Sequence, residues 1–191
     1  MLRVLLVDNH MERTAPLTQY LTDAGYEVIA HLSDTVNLDD AVRKMQPDIV
    51  IIDTESPGRD TLEHLCVMNE NTPRPIVMFT HDGDVNKIRE ATRAGVSAYV
   101  VGGLPNERMK PIVDAAIARF EEFKALRLEL TEANTKLSER KVIEKAKGLL
   151  MKRRGIDEDE AYRLLRNMAM EQNIRLATLA EQVMQASKLL L

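Results

Sequence analysis

The 191-residue sequence predicts an α/β domain followed by a long helix and a small helical bundle. Three observations indicate this fold class. Short apolar runs alternate with segments of helical periodicity, which is the pattern of a parallel sheet covered by helices on both faces. The helical pattern then continues far beyond the length of an average helix. Two further amphipathic segments end the chain, and their apolar stripes need partners to be buried.

The five predicted strands are short apolar runs, and three of them end in a polar residue. They are Leu2–Val7, Tyr26–Ala30, Ile49–Ile52, Ile76–Phe79 and Ala98–Val101. Asp8, Asp53 and Thr80 follow the first, third and fourth runs. The carboxyl ends of parallel strands meet at one edge of the sheet, where such folds bind ligands, so these side chains form a candidate site. The alternative is that they only cap helices.

Segments of 3.6-residue periodicity lie between the strands and predict four helices. They cover roughly Thr14–Ala24, Val36–Gln46, Asp60–Met68 and Asp84–Ala94. Asp60 is a candidate N-cap of the third helix. The single cysteine, Cys66, lies in the apolar run LEHLCVM, which predicts a buried and reduced thiol.

A helical pattern then runs from Leu104 to about Gly148 without a stop signal. Its heptad frame consists of Val113, Ala116, Phe120, Phe123, Arg127, Leu130, Asn134 and Leu137. About 40 residues at ~1.5 Å each span roughly 60 Å, which exceeds a domain of ~100 residues. We therefore predict a parallel homodimeric coiled coil with Phe120, Phe123, Leu130, Asn134 and Leu137 in its seam. The alternative is a helix packed on its own N-terminal domain.

The basic residues are concentrated near the C-terminus. Residues 1–107 carry nine Lys or Arg and 17 Asp or Glu, whereas residues 108–191 carry 17 and 13. The stretch from position 140 to 154 contains only one acid, Glu144. It contains seven basic residues, which are Arg140, Lys141, Lys145, Lys147, Lys152, Arg153 and Arg154. This distribution indicates a surface that binds a polyanion, and the alternative is a merely solvated face.

A tight turn and two helices are predicted after this basic stretch. Gly155 ends the long helix, and Asp157 followed by Glu160 forms a capping-box pattern before helices over about 158–172 and 176–190. Gly148 lies inside the long helix, where glycine costs about 1 kcal/mol relative to alanine. We expect a neighbouring helix or a ligand to approach closely there.

Several function classes are disfavoured. No apolar stretch reaches 18 residues, so we expect a cytoplasmic protein without a membrane partner. No nucleophile–base set and no cofactor loop is recognisable, so we expect no enzymatic activity and no required cofactor.

The N-terminal motifs VLLVDN, DIVIIDTESPGRD, IVMFTHD and AGVSAYV resemble the receiver domain of response regulators. The resemblance implies a flavodoxin-like, doubly wound sheet of order 2-1-3-4-5. It implies Asp53 as phosphoacceptor, Asp8 and Asp53 as Mg²⁺ ligands, and Thr80 as a contact of the phosphoryl group. Asn9 stands where the family has a second metal-binding acid, and Gly102 stands where it has a lysine.

These two departures remove charges that phosphorylation uses. An amide at Asn9 weakens attraction to Mg²⁺, and the missing lysine no longer balances the phosphoryl charge. We therefore predict that the receiver-like domain is a protein-binding or dimerisation module, and that phosphorylation of Asp53 is not its favoured control.

The run ERKVIEKAKGLLMKRRGIDEDEAYRLLRNMAMEQNIRLATLAEQV resembles the ANTAR domain. The resemblance implies RNA binding that prevents transcription termination. The full organisation resembles the AmiR/NasT regulators, and SPGRDTLEHLC and AGVSAYVV look closest to the NasT type, which controls nitrate and nitrite assimilation genes. This resemblance also implies a ligand-sensing partner protein that sequesters the regulator.

The predicted organisation is therefore a receiver-like domain over residues 1–106, a coiled-coil helix over 107–138 and an ANTAR domain over 139–191. The predicted RNA-binding residues are Arg140, Lys141, Lys145, Ala146, Lys147, Gly148, Lys152, Arg153, Arg154, Tyr162, Arg163 and Arg166. Two alternatives remain, a DNA-binding response regulator and a dimeric adaptor that binds no nucleic acid. The first is disfavoured because residues 176–191 are largely apolar and offer no base-reading helix.

Overall fold

The computed structural model describes residues 1–8, 18–33, 37–102 and 108–189. It divides into two compact units, Met1–Lys124 and Ala125–Leu191, which we describe separately. Asn9, the predicted helix start at Leu104 and the predicted domain boundary at residue 106 lie outside the described residues.

The first unit contains a parallel sheet of five strands in the order β2-β1-β3-β4-β5, as predicted. The strands are β1 (Leu2–Asp8), β2 (Tyr26–Leu32), β3 (Ile49–Thr54), β4 (Ile76–Thr80) and β5 (Ala98–Val101). The three central strands are buried along most of their length. Burial on both faces explains why their sequences are continuous apolar runs and not alternating ones.

Helices cover both faces of this sheet. Residues 18–23 form α1, and the next helices are α2 (Leu38–Met45), α3 (Arg59–Asn71), α4 (Val85–Arg93) and α5 (Met109–Arg154). Alternate strand residues enter the two cores, so that Leu5 packs with Leu65 of α3 whereas Leu6 packs with Met109 and Val113 of α5. The first part of α5 is therefore a sheet-covering helix of the receiver-like unit.

Three local predictions in this unit are wrong. The N-cap of α3 is Gly58, and Asp60 lies within the first turn of that helix. Cys66 is exposed because Leu62, Leu65 and Met68 occupy the buried face of α3. The heptad frame of α5 starts too early, since Val113 and Ala116 are buried against the sheet.

The second unit is a small helical bundle. The end of α5 packs with α6 (Glu158–Glu171) and α7 (Leu176–Leu189) around Ala146, Leu165 and Leu179. Gly155 ends α5 with φ 67°, in the left-handed region that favours glycine, and its N–H donates to the Met151 carbonyl at 2.9 Å.

The start of α6 is capped as its sequence predicts. Asp157 Oδ1 accepts a hydrogen bond from the Glu160 N–H at 2.8 Å. This cap satisfies one of the backbone donors that a helix N-terminus leaves without an internal partner. The turn between α5 and α6 is therefore encoded by Gly155 and Asp157, whereas Glu160 contributes only its backbone N–H. The reciprocal bond of the predicted capping box, from the Glu160 side chain to the Asp157 N–H, is not formed among the described residues.

Candidate functional sites

Asp8, Asp53 and Thr80 lie at the carboxyl edge of the sheet. Asp8 pairs in register with Asp53, and Thr80 pairs with Thr54, the residue after Asp53. Their exposed fractions are only 2%, 8% and 0%. Two neighbouring carboxylates with oxygen donors suit a hard divalent cation such as Mg²⁺. No cluster of three or more acidic, His or Cys ligands occurs among the described residues.

The hydroxyl of Thr80 ties two loops together above this pair. It donates to the Glu55 carbonyl at 2.7 Å and accepts from the Asp82 N–H at 3.1 Å. The same loops are joined a second time, because Ser56 Oγ donates to Asp82 Oδ2 at 2.5 Å. The bond from Ser56, followed by one from the Asp84 N–H, lowers the pKa of the Asp82 carboxyl.

A further hydrogen bond connects one of these loops to strand β5. Tyr99 Oη donates to the Asp82 carbonyl at 2.9 Å. Sequence reasoning did not identify Ser56, Asp82 or Tyr99. Ser56 and Asp82 lie in loops after two strands, Tyr99 lies inside β5, and nothing in the spacing relates the three. Together these bonds commit the Thr80 hydroxyl, the predicted phosphoryl contact, to holding the loops.

Gly102 adopts a backbone conformation that a lysine would strain. Its φ is 103°, and its N–H donates to the Thr80 carbonyl at 2.9 Å. Side chains other than glycine rarely adopt a φ in this region. A lysine at position 102 would therefore strain the backbone in this conformation.

The predicted RNA-binding residues of α5 fall on different faces of the helix. Lys141, Lys145, Gly148 and Lys152 recur at i, i+4, i+7 and i+11, and all four are exposed. We call these four residues the lysine stripe. The stripe points away from the bundle core, to which the same helix contributes Val142, Ile143, Ala146 and Leu150.

Lys147 is a buried structural cation and not an exposed phosphate contact. It is 7% exposed, and its Nζ lies 2.8 Å from Glu144 Oε1 and 2.6 Å from Glu158 Oε1. Hydrogen bonds to Glu144 and then Glu158 raise the pKa of its ammonium group. Ala146 is also fully buried, in the bundle core. In this structure neither side chain is available for the predicted contact with RNA.

The remaining predicted residues are exposed. Arg140, Arg153 and Arg154 lie on other faces of α5, and Arg163 and Arg166 lie on α6. The side chain of Tyr162, also on α6, is 42% exposed. A charge count alone does not distinguish Lys147, which is buried, from the exposed basic residues of the same stretch.

Gly148 has no close neighbour. A Cβ placed on Gly148 would meet no atom within 4 Å. Of the two expected reasons for a glycine at this position, close approach of a neighbouring helix is therefore wrong. Close approach of a ligand remains a prediction.

The predicted coiled-coil seam is mostly exposed in the single chain. Phe120 is half-buried, whereas Phe123, Leu130 and Leu137 are 62%, 61% and 52% exposed, and Asn134 is exposed as well. Every helix in the described part of the chain is either too short or too polar to span a lipid bilayer.

Comparisons with known proteins find two domain families. The family model described as response regulator receiver domain matches residues 4–114, and that of the ANTAR domain matches residues 131–184. The transcriptional regulatory protein PdtaR of Mycobacterium tuberculosis is 28% identical over 183 residues, which cover 96% of this chain and 89% of that protein.

Solved structures resemble the first unit. A CheY-like receiver domain protein from Methanospirillum hungatei is 19% identical, with a TM-score of 0.55. The matched region covers 64% of this chain and 98% of that protein's chain. A LuxR-family response regulator from Aurantimonas is 25% identical, with a TM-score of 0.55. The matched region covers 62% of this chain and 86% of that protein's chain. Both similarities concern the receiver fold.

Proposed function

Because this chain belongs to the response regulator receiver family and also carries an ANTAR domain, we propose that it is an RNA-binding transcription antitermination regulator. One observation carries the proposal. Six of the seven basic residues between positions 140 and 154 are exposed, while Lys147 holds Glu144, the only acid of that stretch. The outward charge of the helix is therefore positive, as phosphate binding requires.

RNA is favoured over duplex DNA by the charge at the start of α6. A recognition helix that enters the major groove places its N-terminal residues against base edges and between phosphate strands. Helix α6 begins with three acids, Glu158, Asp159 and Glu160, which phosphates would repel. Unpaired RNA bases can instead stack on exposed planar side chains such as Tyr162, Arg163 and Arg166.

A homodimer would bind two hairpins of a leader transcript at once. The exposed apolar side chains Phe123, Leu130 and Leu137 support a parallel coiled coil in which Asn134 fixes the register. Two RNA-binding bundles joined in this way raise the effective concentration of the second contact without adding any new one. Binding of the two hairpins would favour an antiterminated transcript over the terminator.

The receiver-like unit serves as a module for protein contacts in this proposal. The commitment of the Thr80 hydroxyl to the loops and the backbone of Gly102 support control without phosphorylation. Asp8 and Asp53 would hold Mg²⁺ weakly, because the sequence has the neutral Asn9 in place of a second acid, and RNA binding requires no cofactor. On the basis of the AmiR/NasT resemblance, we propose that a ligand-sensing partner protein sequesters this regulator. The genes that the regulator controls would then be those of nitrate and nitrite assimilation.

One titration distinguishes this function from its two alternatives. The full chain is titrated with a two-hairpin leader RNA, a duplex DNA of the same sequence and a scrambled RNA at moderate salt. We expect the hairpin RNA to bind most tightly. Preference for the duplex would favour a DNA-binding response regulator, and failure to bind any of the three would favour an adaptor. Equal affinities would leave only nonspecific polyanion binding.

The nitrate assignment needs a separate test. A reporter placed behind the leader of a nitrate assimilation operon and its terminator should be expressed only when this protein is present. Replacing the leader by one without paired hairpins is the control, and equal expression from both leaders would contradict the assignment.

A further inference from the structure

We propose that the sugar–phosphate backbone of the RNA runs along the lysine stripe and comes closest to the protein at Gly148. This inference rests on the proposed function, because it assumes that RNA is the ligand. It assigns separate roles to residues that the sequence groups together. Three lysines would hold phosphates, and one glycine would let the chain approach the helix backbone.

The charge of the stripe supports an anionic chain as its occupant. Lys141, Lys145 and Lys152 are exposed, and none of them forms an ion pair within the described part of the protein. Glu144 is the nearest acid on the same helix, and its carboxylate is held at 2.8 Å by Lys147. The outer lysines are eleven positions apart, which is about 16.5 Å along a helix at ~1.5 Å per residue.

The environment of Gly148 supports its role as the point of closest approach. Glycine in the interior of a helix is less stable than alanine because it loses more backbone entropy on folding. Packing gives no reason for it here, since a Cβ would meet nothing within 4 Å. Its φ is not in the left-handed region, unlike that of Gly155 seven residues later. The missing side chain therefore creates free space between Lys145 and Lys152.

An exposed notch between two lysines suits a phosphodiester chain better than a base. Lysine ammonium groups are flexible point charges that contact phosphates without fixed geometry. Such contacts position the nucleic acid and give no sequence preference by themselves. The stripe would therefore determine affinity and orientation, leaving base recognition to planar side chains outside it.

The substitution Gly148→Ala tests the inference because its effects on folding and on binding have opposite signs. We expect the variant to unfold at a higher temperature than the wild type, since alanine favours the helix and meets no clash. We also expect its affinity for the two-hairpin RNA to fall by about tenfold or more. Asn167→Ala, an exposed substitution on α6 that also raises helix propensity, is the matched control and should leave RNA affinity unchanged.

Salt dependence gives an independent measurement. Lys141→Met and Lys152→Met should each reduce the slope of log K against log salt by about 0.7 to 0.9, the value for one lost phosphate contact. Lys136→Met, an exposed lysine of the same helix outside the basic stretch, should leave the slope unchanged. Slopes equal to that of the wild type in both stripe variants would overturn the inference.

Wild-type affinity in Gly148→Ala would overturn the inference and leave the proposed function intact. A lower unfolding temperature of this variant would show that the space at Gly148 is needed for folding, which also overturns it. Failure of the wild-type protein to bind the leader RNA would overturn the proposed function itself.

Discussion

Lys147 Nζ lies 2.6 Å from Glu158 Oε1 and joins the end of α5 to the first turn of α6. A second carboxylate, Glu144 Oε1, accepts from the same ammonium group at 2.8 Å. The cation is buried while both acids are exposed on their outer sides. A residue that a charge count assigns to RNA therefore joins two helices of the bundle by a buried ion pair.

The first prediction separates this structural role from a phosphate contact. We expect Lys147→Met to lower the unfolding temperature of the C-terminal unit, because Glu144 and Glu158 lose their shared cation. The salt slope of RNA binding should stay at the wild-type value, since no phosphate contact is lost. Thermal unfolding and RNA titration of the full chain measure both effects.

Lys145→Met provides the control, with the reverse result. Its side chain belongs to the exposed lysine stripe, so we expect an unchanged unfolding temperature and a reduced salt slope. A reduced slope in Lys147→Met, equal to that of Lys145→Met, would show that Lys147 contacts phosphate in the complex.

The second prediction concerns the stability of the receiver-like unit in acid. A hydrogen bond from Thr72, followed by those from Arg43 and Asn71, holds the pKa of Asp39 below its ordinary value of 3.8. A group with a lowered folded-state pKa stabilises the fold above its unfolded pKa. This contribution is lost as the pH falls through the folded pKa.

The substitution Asp39→Asn should therefore reduce stability most at neutral pH and least in strong acid. We expect the difference in unfolding free energy between wild type and variant to shrink as the pH falls below 3.8. Urea unfolding between neutral pH and strong acid measures this difference. Asp40→Asn is the control, because Asp40 is exposed. If the difference in unfolding free energy between wild type and Asp39→Asn is the same at every pH, Asp39 does not have a lowered pKa in the folded protein.

The third prediction concerns a buried hydroxyl. Tyr26 is 4% exposed, and its Oη has no hydrogen-bond partner among the described residues. Burial, followed by the charges of Asp114 and Tyr20, raises the pKa of this phenol. Removing a buried polar group that has no partner removes its desolvation cost. We expect Tyr26→Phe to raise the free energy of unfolding by about 1 kcal/mol, which a urea titration measures. A lower free energy of unfolding in this variant would show that the Tyr26 hydroxyl forms a hydrogen bond in solution.

Much of the fold could be predicted from the sequence because the signals are local and repeated. Buried parallel strands appear as continuous apolar runs, and the turn before α6 carries its own helix-ending and capping residues, Gly155 and Asp157. The roles of Lys147 and Val113 could not be predicted in this way. Each depends on which face of α5 meets another element, and a charge count or a heptad frame does not contain that information.

The candidate site formed by Asp8, Asp53 and Thr80 shows the same limit. Asp8 and Asp53 could be placed side by side from strand ends alone, because parallel strands align their carboxyl ends. The bond between Ser56 and Asp82 joins residues 26 positions apart in two loops, and no periodic signal relates them. Hydrogen bonds between loops that are distant in sequence therefore cannot be predicted from the sequence pattern.

The fourth prediction is that acetyl phosphate does not label Asp53 to completion. The Thr80 hydroxyl is committed to the Glu55 carbonyl, and no lysine stands at Gly102. Intact-protein mass spectrometry after incubation with acetyl phosphate and Mg²⁺ measures the labelled fraction, and Asp53→Asn is the blank. Complete labelling together with a change in RNA affinity would contradict control without phosphorylation.

Restoring the lysine should not restore labelling. At a φ of 103° any side chain strains the backbone, so we expect Gly102→Lys to be less stable than the wild type and equally resistant to acetyl phosphate. Val101→Lys is a matched control, because the neighbouring Val101 is 50% exposed in strand β5 and already carries a side chain. A stable and fully labelled Gly102→Lys would show that the missing charge alone prevents phosphorylation.

The fifth prediction uses two exposed leucines on opposite faces of α5. Leu130 belongs to the predicted dimer seam, whereas Leu128 does not, and both are 61% exposed. We expect Leu130→Glu to shift the protein from dimer to monomer, because the charge would be buried in the seam. Leu128→Glu should leave the dimer intact, and sedimentation equilibrium measures both variants.

The same pair tests whether dimerisation serves RNA recognition. Linking two binding bundles raises affinity for a two-site ligand by a factor on the order of 10² to 10⁴. Leu130→Glu should lose most of this gain on a two-hairpin RNA and bind a single hairpin as the wild type does. Leu128→Glu should behave as the wild type on both RNAs. Equal losses on the single and the double hairpin would mean that residue 130 affects the binding surface itself, and that avidity through the coiled coil is not the mechanism.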